Sequence, residues 1–482
     1  MSRRLLYILF LLACLTSCKQ DIVSSDPNLL LQFSQDSVLF DTVFTSMGSS
    51  TRRVMVYNPN EYALTIRQVA LQENQYFRIN LDGESELSNL RNITLSGKDS
   101  LFLFIRVHVD PQASNTPVLV EDNILFSVNG HQQSIHLQAY GQNVCVMRDS
   151  TKRIIREQCT FTSTMPYVIY DTLIVAGDLH IEAGATLYMH TGAGIYVYGN
   201  LDAVGTQSNP ITIRGDRTDR LFDSVPYSVA SGQWNGIYLL SDAEQHASSY
   251  TLDYVNILSG SIGLYVASES SERPTLHFSN GRIHNHSKYG LVLINTDAVV
   301  ANSEISNSAS YCVYLAGGTH KFIHNTIASF FGYPYTNLNI HSNIVREDMA
   351  AVYINNLEKE VAATQTSFYN CIVTGARKNN IVVATPLPNR YDGRFVGNYL
   401  QADTLSPAYA WDNVYPTDSD SVMFRNVYYR YKEYHYYDFR LDSLSPARHI
   451  ADPTFTVSYP VDRLGHVRDT EHPDAGCYEY TE

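Results

Sequence analysis

Residues Gly177 to Gly215 read GDLHIEAGATLYMHTGAGIYVYGNLDAVGTQSNPITIRG, and this stretch decides the fold of most of the chain. Short β-forming segments such as LHI, TLYM and ITI alternate with glycine-rich corners. The stretch shows no helical periodicity. Strands this short bury their apolar side chains only when many of them stack. The pattern therefore predicts a stack of coils in which each coil pairs with the next.

Residues further along the chain recur at a constant spacing. Ile283, Ile305 and Ile327 follow one another at intervals of 22 residues. The same interval relates two further sets, Tyr289, Tyr311, Tyr333 and Asn285, Asn307. We interpret these residues as scaffold positions of successive coils in a parallel β-helix. About ten to twelve such coils fit into residues 171–440.

Asparagine precedes an aliphatic residue by one to three positions at many of the expected strand starts. Asparagine is rare inside strands, but it tolerates the left-handed backbone that a sharp corner needs. We therefore expect these residues at corners between strands. The set is Asn256, Asn280, Asn302, Asn325, Asn343, Asn370 and Asn398.

The stretch from Gly177 resembles the opening coils of right-handed parallel β-helix proteins of the pectate-lyase-like superfamily. The segments SLSPARHIADP, VDRLGHVRD and PDAGCYEY, between Ser443 and Tyr480, resemble the closing segment of many secreted β-helix proteins. The resemblance implies a single-stranded β-helix over residues 171–440 and a C-terminal cap over residues 441–482. Residues 145–170 are predicted to form a linker and an N-terminal cap. The cap at residues 441–482 is expected to cover the open end of the helix, since unpaired strand edges promote aggregation.

Residues 29–144 have a different pattern, with longer strands that alternate apolar and polar residues. Asn58-Pro59, Asp82-Gly83 and Asn129-Gly130 supply turn residues between them. The pattern predicts a β-sandwich. The pieces VYN with LTI, and VNG with the following AYG, resemble Ig-like domains of the abnormal-spindle and hydin type. The predicted fold class is therefore all-β, with an Ig-like sandwich before the β-helix.

The N-terminus predicts export and lipid attachment. Arg3 and Arg4 precede a short apolar run, so residues 1–17 are predicted to be a signal peptide. The run ends in LTSC, which resembles the lipobox of a bacterial lipoprotein of the Bacteroidota type and implies lipidation of Cys18. Residues 18–28 then form a tether, and Lys19 favours the outer membrane of the cell envelope. The alternative is an ordinary signal peptide that contains a cysteine.

The net charge and the cysteines limit the classes of function. The formal net charge is −14, and no basic stripe suited to nucleic acid is visible. Cys145 and Cys159 could pair across a short loop in an oxidising envelope compartment, and this is left open. The later cysteines are expected to be small buried hydrophobic residues. Their spacing matches no metal motif, and the oligomeric state is not predicted.

The segment GRIHNHSKYG, Gly281 to Gly290, is the first candidate site. In an extended strand the even-numbered side chains share one face, which would bring four basic groups together. These weak catalytic candidates are Arg282, His284, His286 and Lys288. Lys288 or His286 would then act as the base, and Arg282 would hold a carboxylate. A corner inside the segment would break this arrangement. The alternative is a surface charge cluster without function, in which Arg282 above Glu304 forms a structural ion pair.

The run VYYRYKEYHYYDF, Val427 to Phe439, is the second candidate. Tyr434, Tyr436 and Tyr437 are weak candidates for sugar binding through their ring faces. The alternative is a last coil that seals the helix with aromatic side chains. No cofactor or metal is predicted, because the Asp418-Ser419-Asp420 stretch resembles a Ca²⁺ loop only incompletely.

Three hypotheses for the function are consistent with these patterns. The first is an envelope lipoprotein whose β-helix binds polysaccharide or another surface partner without catalysis. The second is a polysaccharide lyase or glycoside hydrolase with a groove on the β-helix. Bases occur without nearby acids, which disfavours a Ca²⁺-dependent lyase and a two-carboxylate glycosidase. The third is a purely structural surface protein.

Overall fold

The computed structural model describes residues 22–84, 90–113, 115–222, 225–241, 248–269, 272–331, 350–356, 364–384, 391–402, 410–412, 415–416, 423–427 and 437–482. The chain divides into two compact units, residues 1–143 and 144–482. Each unit has its own hydrophobic core, and both consist mainly of strands, which confirms the all-β fold class. Within the described ranges no helix is long and apolar enough to cross a membrane.

The first unit is a β-sandwich, with nine strands among its described residues. They are β1 Gln32–Phe33, β2 Ser37–Phe44, β3 Arg52–Tyr57, β4 Leu64–Leu71, β5 Phe77–Leu81, β6 Leu90–Leu95, β7 Ser100–Val107, β8 Val118–Val128 and β9 His131–Gln142. One sheet has the order β1-β3-β7-β5 and the other β2-β9-β8-β4-β6, in which β2 and β9 pair in parallel. Alternate residues of β8 face the core, so Ile124 and Phe126 are buried. Asn129 and Gly130, both with positive φ, form the predicted turn into β9.

The second unit is a parallel β-helix whose coils form three ladders of stacked strands. The first ladder contains β10 Cys145–Met147, β13 Tyr167–Ile169, β16 Thr186–Met189, β19 Ile211–Gly215, β24 Val255–Leu258, β27 Arg282–His286, β29 Glu304–Ser308, β31 Thr326–Ser329, β34 Ile372–Gly375, β37 Tyr399–Leu400 and β39 Tyr415–Pro416. The second contains β11 Ile154–Ile155, β14 Thr172–Val175, β17 Gly194–Val197, β22 Gly236–Ser241, β25 Ile262–Ser268, β28 Tyr289–Ala301, β30 Val313–Ile323, β32 Val352–Asn355 and β35 Ile381–Ala384.

The third ladder adjoins the second at a corner. Strands β28 and β30 bend at this corner, so that their C-terminal parts belong to the third ladder. Besides the ends of those two strands, it contains β12 Cys159–Phe161, β15 Leu179–Ile181, β18 Leu201–Val204, β23 Ser249–Asp253, β26 Thr275–Ser279, β33 Thr364–Tyr369, β36 Tyr391–Val396 and β38 Ala410–Asp412. Outside the ladders lie β20 Arg220–Phe222, β21 Val225–Pro226, β40 Phe424–Asn426, β41 Asp438–Leu441, the helices α1 Ser150–Arg153 and α2 Pro453–Thr456, and the 3₁₀ turn Tyr227–Val229.

The helix begins one coil earlier than the sequence suggests. Strands β10, β11 and β12 each pair in parallel with the strand one coil further on. Residues 145–161 therefore form a coil, whereas the sequence pattern indicates a linker and cap there. Cys145 lies on the first ladder and Cys159 on the third, and both carry free thiols. The disulfide considered from the sequence is not formed in the structure.

The interior contains columns of identical residue types, as the 22-residue interval predicts. Ile283, Ile305 and Ile327 lie in register on β27, β29 and β31 and are fully buried. On the third ladder, the ring of Phe368 stacks on a phenylalanine in each adjacent coil, with centroids 4.6 and 5.3 Å apart. Parallel strands repeat at about 4.8 Å, so like side chains meet face to face in successive coils. This stacking buries apolar surface between neighbouring coils and adds to the hydrogen bonds that join them.

Left-handed residues mark the corner where the third ladder passes into the first. Asn280, Asn302 and Asn370 have φ of 53°, 49° and 55° there, which confirms the expectation for these three. The column also includes His324 and Gly397. Three other predicted corner residues, Asn256, Asn325 and Asn398, are not left-handed, and Asn343 lies outside the described residues.

The C-terminal segment, residues 437–482, contacts the side of the helix along the same corner. Its Asp452 amide donates to Asn370 Oδ1 at 2.7 Å, and its Thr456 hydroxyl lies 2.9 Å from His324 Nε2. Further along, its buried Arg468 donates from Nη2 to Asn302 Oδ1 at 2.7 Å. The sequence predicted a cap over the open end. In the described part of the chain, the contacts of this segment run across several coils instead.

Candidate functional site

The four basic candidates of GRIHNHSKYG do not share one face, because a corner lies among them. Arg282 and His284 are on the outer side of β27. Asn285 then adopts a left-handed conformation with φ of 65°. After this corner His286 points into the helix and is fully buried, and Lys288 is exposed. The grouping of all four residues on one exposed face is therefore wrong, since it assumed an extended strand throughout.

Arg282 and His284 belong instead to a buried polar cluster centred on Glu304. Arg282 Nε donates to Glu304 Oε1 at 2.8 Å across adjacent coils. Ser306 Oγ donates to the same oxygen at 2.6 Å and lies 2.7 Å from His284 Nδ1. The Tyr478 hydroxyl of the C-terminal segment donates to Glu304 Oε2 at 2.5 Å. Both carboxylate oxygens thus have partners, and the ion pair considered from the sequence is present.

The C-terminal segment covers this cluster. Arg463 Nε donates to the Gly281 carbonyl oxygen at 3.0 Å, and its Nη2 donates to Asn256 Oδ1 at 2.8 Å. The ring of Phe439 lies 6.4 Å from that of His284. Only 2% of the Glu304 side chain is exposed. A polysaccharide therefore has no access to this carboxylate.

Burial and the neighbouring charges set the protonation of the cluster. Burial is the largest single effect and would raise the pKa of Glu304, but Arg282, with smaller contributions from His284, Arg463 and the Ser306 hydrogen bond, outweighs it, and the pKa is lowered to about 2. Burial and the Arg282 charge lower the pKa of His284 well below its usual value. The cluster therefore contains one ion pair and a neutral imidazole. It is suited to fastening the C-terminal segment rather than to acid–base catalysis.

The remaining basic candidates cannot form a catalytic pair either. His286 Nε2 lies 3.2 Å from the carbonyl oxygen of Ile257 inside the helix, and burial lowers the pKa of His286 to about 4. Lys288 is exposed on the outside. A base in the interior and an ammonium group on the surface reach no common substrate atom.

A row of partly exposed tyrosines on the second ladder is the candidate site that sequence reasoning missed. We call it the tyrosine face, and it consists of Tyr196, Tyr238, Tyr265, Tyr289, Tyr311, Tyr314 and Tyr353. Tyr196, Tyr238 and Tyr265 occupy the same register in successive coils. The repeated pieces GIY, GIY and GLY at these positions carry the pattern, in which an aliphatic residue points inward and the tyrosine outward. Tyr289 and Tyr311 recur as predicted but lie on this outer face.

Several ring pairs of the tyrosine face stack along the helix, whereas the ring planes of Tyr238 and Tyr265 are tilted by 44°. Tyr196 and Tyr238 have centroids 4.5 Å apart and planes 8° apart, and Tyr311 and Tyr353 have centroids 4.7 Å apart and planes 23° apart. Parallel rings at this distance cover each other's faces. The stacks therefore present ring edges and hydroxyl groups outward, one coil after another. Such a surface offers a row of hydrogen-bonding groups on an aromatic base.

Of the predicted tyrosine site near the end of the chain, the structure describes only Tyr437. Tyr437 stacks on Phe439 with planes 3° apart, and its hydroxyl donates to the Phe330 carbonyl oxygen at 3.3 Å. Tyr437 therefore packs against residues of the second unit. Tyr434 and Tyr436 lie outside the described residues, as do the lipidation candidate Cys18 and the Asp418–Asp420 stretch.

Parallel ladders joined by short corners are the architecture of a parallel β-helix, and a family model matches part of this region. Residues 235–386 match the family model described as the right handed beta helix region. The prediction of a right-handed β-helix is thereby confirmed. A search of curated proteins gave no match to the chain.

Three of the solved structures similar to the chain have 8–10% sequence identity to it. The catalytic unit of a thermostable GH87 alpha-1,3-glucanase from Streptomyces thermodiastaticus strain HF3-3 covers 75% of this chain and 87% of its own, with 10% identity and a TM-score of 0.25. A family 123 glycoside hydrolase from Clostridium perfringens covers 28% of this chain, with 8% identity and a TM-score of 0.19, and this chain spans 30% of its length. A PapD-like domain of human CEP192 covers 23% of this chain and 84% of its own, with 10% identity and a TM-score of 0.17. Scores this low carry no functional argument.

Metal binding finds no support in the part of the right-handed β-helix that the structure describes. No group of three His, Cys, Asp or Glu side chains there is placed to hold a metal ion. The buried thiols of Cys312, Cys371 and Cys477 are separate small core residues, and burial raises the pKa of Cys371 and Cys477 to about 12. These thiols are therefore protonated and unreactive.

Proposed function

We propose that the protein is a cell-envelope lipoprotein whose β-helix binds polysaccharide through the tyrosine face, without catalysing a reaction. The observation that carries the proposal is two runs of partly exposed tyrosines in register on adjacent coils, Tyr196, Tyr238, Tyr265 and then Tyr314, Tyr353, with buried Val292 at this register on the coil between them. A linear polysaccharide running along the helix axis would meet a tyrosine ring and hydroxyl group on each of these coils, with Tyr289 supplying them on the coil that has Val292 in register. Many weak contacts of this kind add up along an extended ligand.

The arrangement of the basic candidates supports the non-catalytic part of the proposal. A lyase needs a base beside the substrate, and a glycosidase needs two carboxyl groups on either side of the scissile bond. Glu304 is enclosed by Arg282 and Tyr478, and His286 is inside the helix. These residues have structural partners that explain their positions.

The binding test uses the full-length protein in mild detergent and electrophoresis through gels that contain soluble polysaccharides. Tyr238→Ala and Tyr353→Ala should each weaken retardation by about 2- to 10-fold, because each removes a stacked ring and its hydroxyl. Tyr62→Ala is the matched control, since Tyr62 is 50% exposed in the first unit and is not part of the tyrosine face. Equal retardation of all three variants would refute the proposal.

The same samples are assayed for unsaturated and reducing-end products. We expect none from any polysaccharide that is retained. Products that disappear in Lys288→Ala would replace the binding proposal with a catalytic one, because Lys288 is the exposed basic candidate.

The lipid anchor rests on the sequence Leu15-Thr16-Ser17-Cys18 and the preceding apolar run. Labelling cells with a radioactive fatty acid should mark the protein, and Cys18→Ser should abolish the label. Cys14→Ser is the matched control, because this cysteine lies within the predicted signal peptide and should leave the label intact. Lys19 supports the outer membrane, which fractionation of the envelope would test. Label that persists in Cys18→Ser would exclude this anchor.

A further inference from the structure

The outer surface of the second ladder lacks charge over many coils. Among the described residues that pair along this ladder from Thr172 to Ala384, up to the bends of β28 and β30, none is Asp, Glu, Lys, Arg or His. The third ladder differs, since exposed His277, Lys321 and Arg394 lie on its outer side. The uncharged surface is therefore a property of the tyrosine face and its neighbours, in a chain with a net charge of −14.

Charged groups border this ladder where the described coils turn away from it. Lys288 precedes Tyr289 at one corner, and Glu269 follows the end of β25 at the opposite corner. Both are exposed. Charges of both signs occur at these corners, where Asp171, Asp178 and Lys378 are also exposed, but none of them lies on the described paired strands of the face itself.

The tyrosines supply neutral hydrogen-bonding groups. Burial raises the pKa of Tyr238 and of Tyr265 above the usual phenol value, so both hydroxyls keep their protons at physiological pH. The Tyr314 hydroxyl accepts a hydrogen bond from Asn355 Nδ2 at 2.7 Å, which orients it on the surface. A phenol can both donate to and accept from an alcohol. The chemistry of the face thus matches sugar hydroxyl groups.

An acidic polymer would be poorly accommodated on this surface. Each carboxylate or sulfate group that lost water against the tyrosine face would meet no cation on the described residues of the strands opposite it. The negative charge of the whole protein would also repel a polyanion during association. A polymer that carries only hydroxyl and ether oxygens avoids both costs.

We infer that the ligand of the tyrosine face is a neutral polysaccharide, whose repeating units carry hydroxyl groups but no carboxylate or sulfate. This inference rests on the proposed function, because it specifies the chemical class of the ligand for that same surface.

The test begins with a panel of immobilised polymers. The neutral set is dextran, β-glucan, mannan and xylan, and the anionic set is polygalacturonate, alginate and chondroitin sulfate. The neutral polymer that retains the protein is then carboxymethylated, so that the same backbone carries charge. We expect the derivative to bind at least about tenfold more weakly. Binding to the neutral parent should change little between about 0.05 and 0.5 M salt, because no ion pair contributes.

Two outcomes separate this inference from the proposed function. Preferential, salt-sensitive retention on the anionic polymers would overturn neutrality while leaving polysaccharide binding in place. Retention on no polymer would overturn both. Light scattering adds a third outcome, since a dimer that dissociates in Tyr238→Ala would assign the face to a second copy of the chain instead.

A conservative variant tests the role of the hydroxyl groups. Tyr238→Phe keeps the stacked ring but removes the hydroxyl, and it should weaken binding by about 2- to 10-fold. Lys321→Ala, on the outer side of the third ladder, is the control and should bind normally. If Tyr238→Phe also binds normally, hydroxyl recognition by this face is wrong.

Discussion

Replacing Glu304 by glutamine should destabilise the β-helix at neutral pH but not at low pH. Glutamine has nearly the shape of a protonated glutamate, so the substitution removes the charge with little change in volume. Arg282 and Tyr478 would then face a neutral amide inside a buried cluster. The loss of a charged partner in a buried ion pair is strongly destabilising.

The magnitude follows from the protonation of the carboxyl group. Its pKa falls from 4.5 in the unfolded chain to about 2 in the folded protein, and each pKa unit corresponds to about 1.4 kcal/mol. Ionised Glu304 thus contributes about 3 kcal/mol to the free energy of unfolding. Because the folded pKa is the lower one, this contribution is complete above pH 4.5 and is lost as the pH falls through about 2.

Urea unfolding followed by tryptophan fluorescence measures this difference. Trp234 and Trp411 are the two tryptophans of the chain, and both lie in the second unit, so the signal reports the β-helix. At pH 7 the variant should unfold at a lower urea concentration than the parent protein, and the gap should close towards pH 2. Asp202→Asn is the control, because the exposed pair that Asp202 forms with His180 should contribute less than about 1 kcal/mol.

Two results would refute this reasoning. A Glu304→Gln protein as stable as the parent at pH 7 would show that the carboxylate has no net stabilising role. A loss of stability that is the same at pH 7 and at pH 2 would assign the effect to shape rather than to charge.

Three further predictions concern the core. Burial lowers the pKa of His286 to about 4, so the parent protein should lose about 3 kcal/mol as the pH falls from 6.5 through 4, and His286→Leu should abolish that part of the pH dependence. Gly318→Ala should prevent stable folding, because the new Cβ would lie 1.9 Å from the Thr296 carbonyl oxygen. Gly48→Ala is the control, since its new Cβ would meet nothing within 4 Å. Equal thermal stability of the two variants would contradict this prediction. Phe368→Ala should cost about 3–5 kcal/mol in urea unfolding, and a loss below about 1 kcal/mol would argue against the stacked core.

The interval of 22 residues predicts the interior well because stacking requires it. Ile283, Ile305 and Ile327 can meet only if each coil returns the chain to the same register. The first coil escapes sequence-based prediction because Cys145–Met147 and Ile154–Ile155 are short strands without glycine corners to mark them. A repeat can be recognised from the sequence only where its corner residues recur at a regular spacing.

The candidate site is harder to predict because one corner residue decides it. The grouping of His284 with His286 assumes that side chains alternate between the inner and outer faces of an extended strand. The left-handed Asn285 between them interrupts this alternation. The contact between Glu304 and Tyr478 joins residues 174 positions apart, and no local pattern encodes such a separation. The tyrosine face, in contrast, is visible in the sequence as an aliphatic–tyrosine pair that recurs at coil spacing. Sequence reasoning overlooks it because recurrence by itself indicates scaffold.

The contacts of the C-terminal segment also have a consequence for how the helix unfolds. In a simple stack each coil is stabilised by its two neighbours, so the ends can fray independently of the middle. The segment binds Asn256, Asn302 and Asn370, which belong to coils that do not touch one another. Unfolding of any one of these coils therefore weakens the contacts of the segment with the other two. Through the segment, distant coils unfold together. The β-helix should therefore unfold in one cooperative transition, as a small globular domain does.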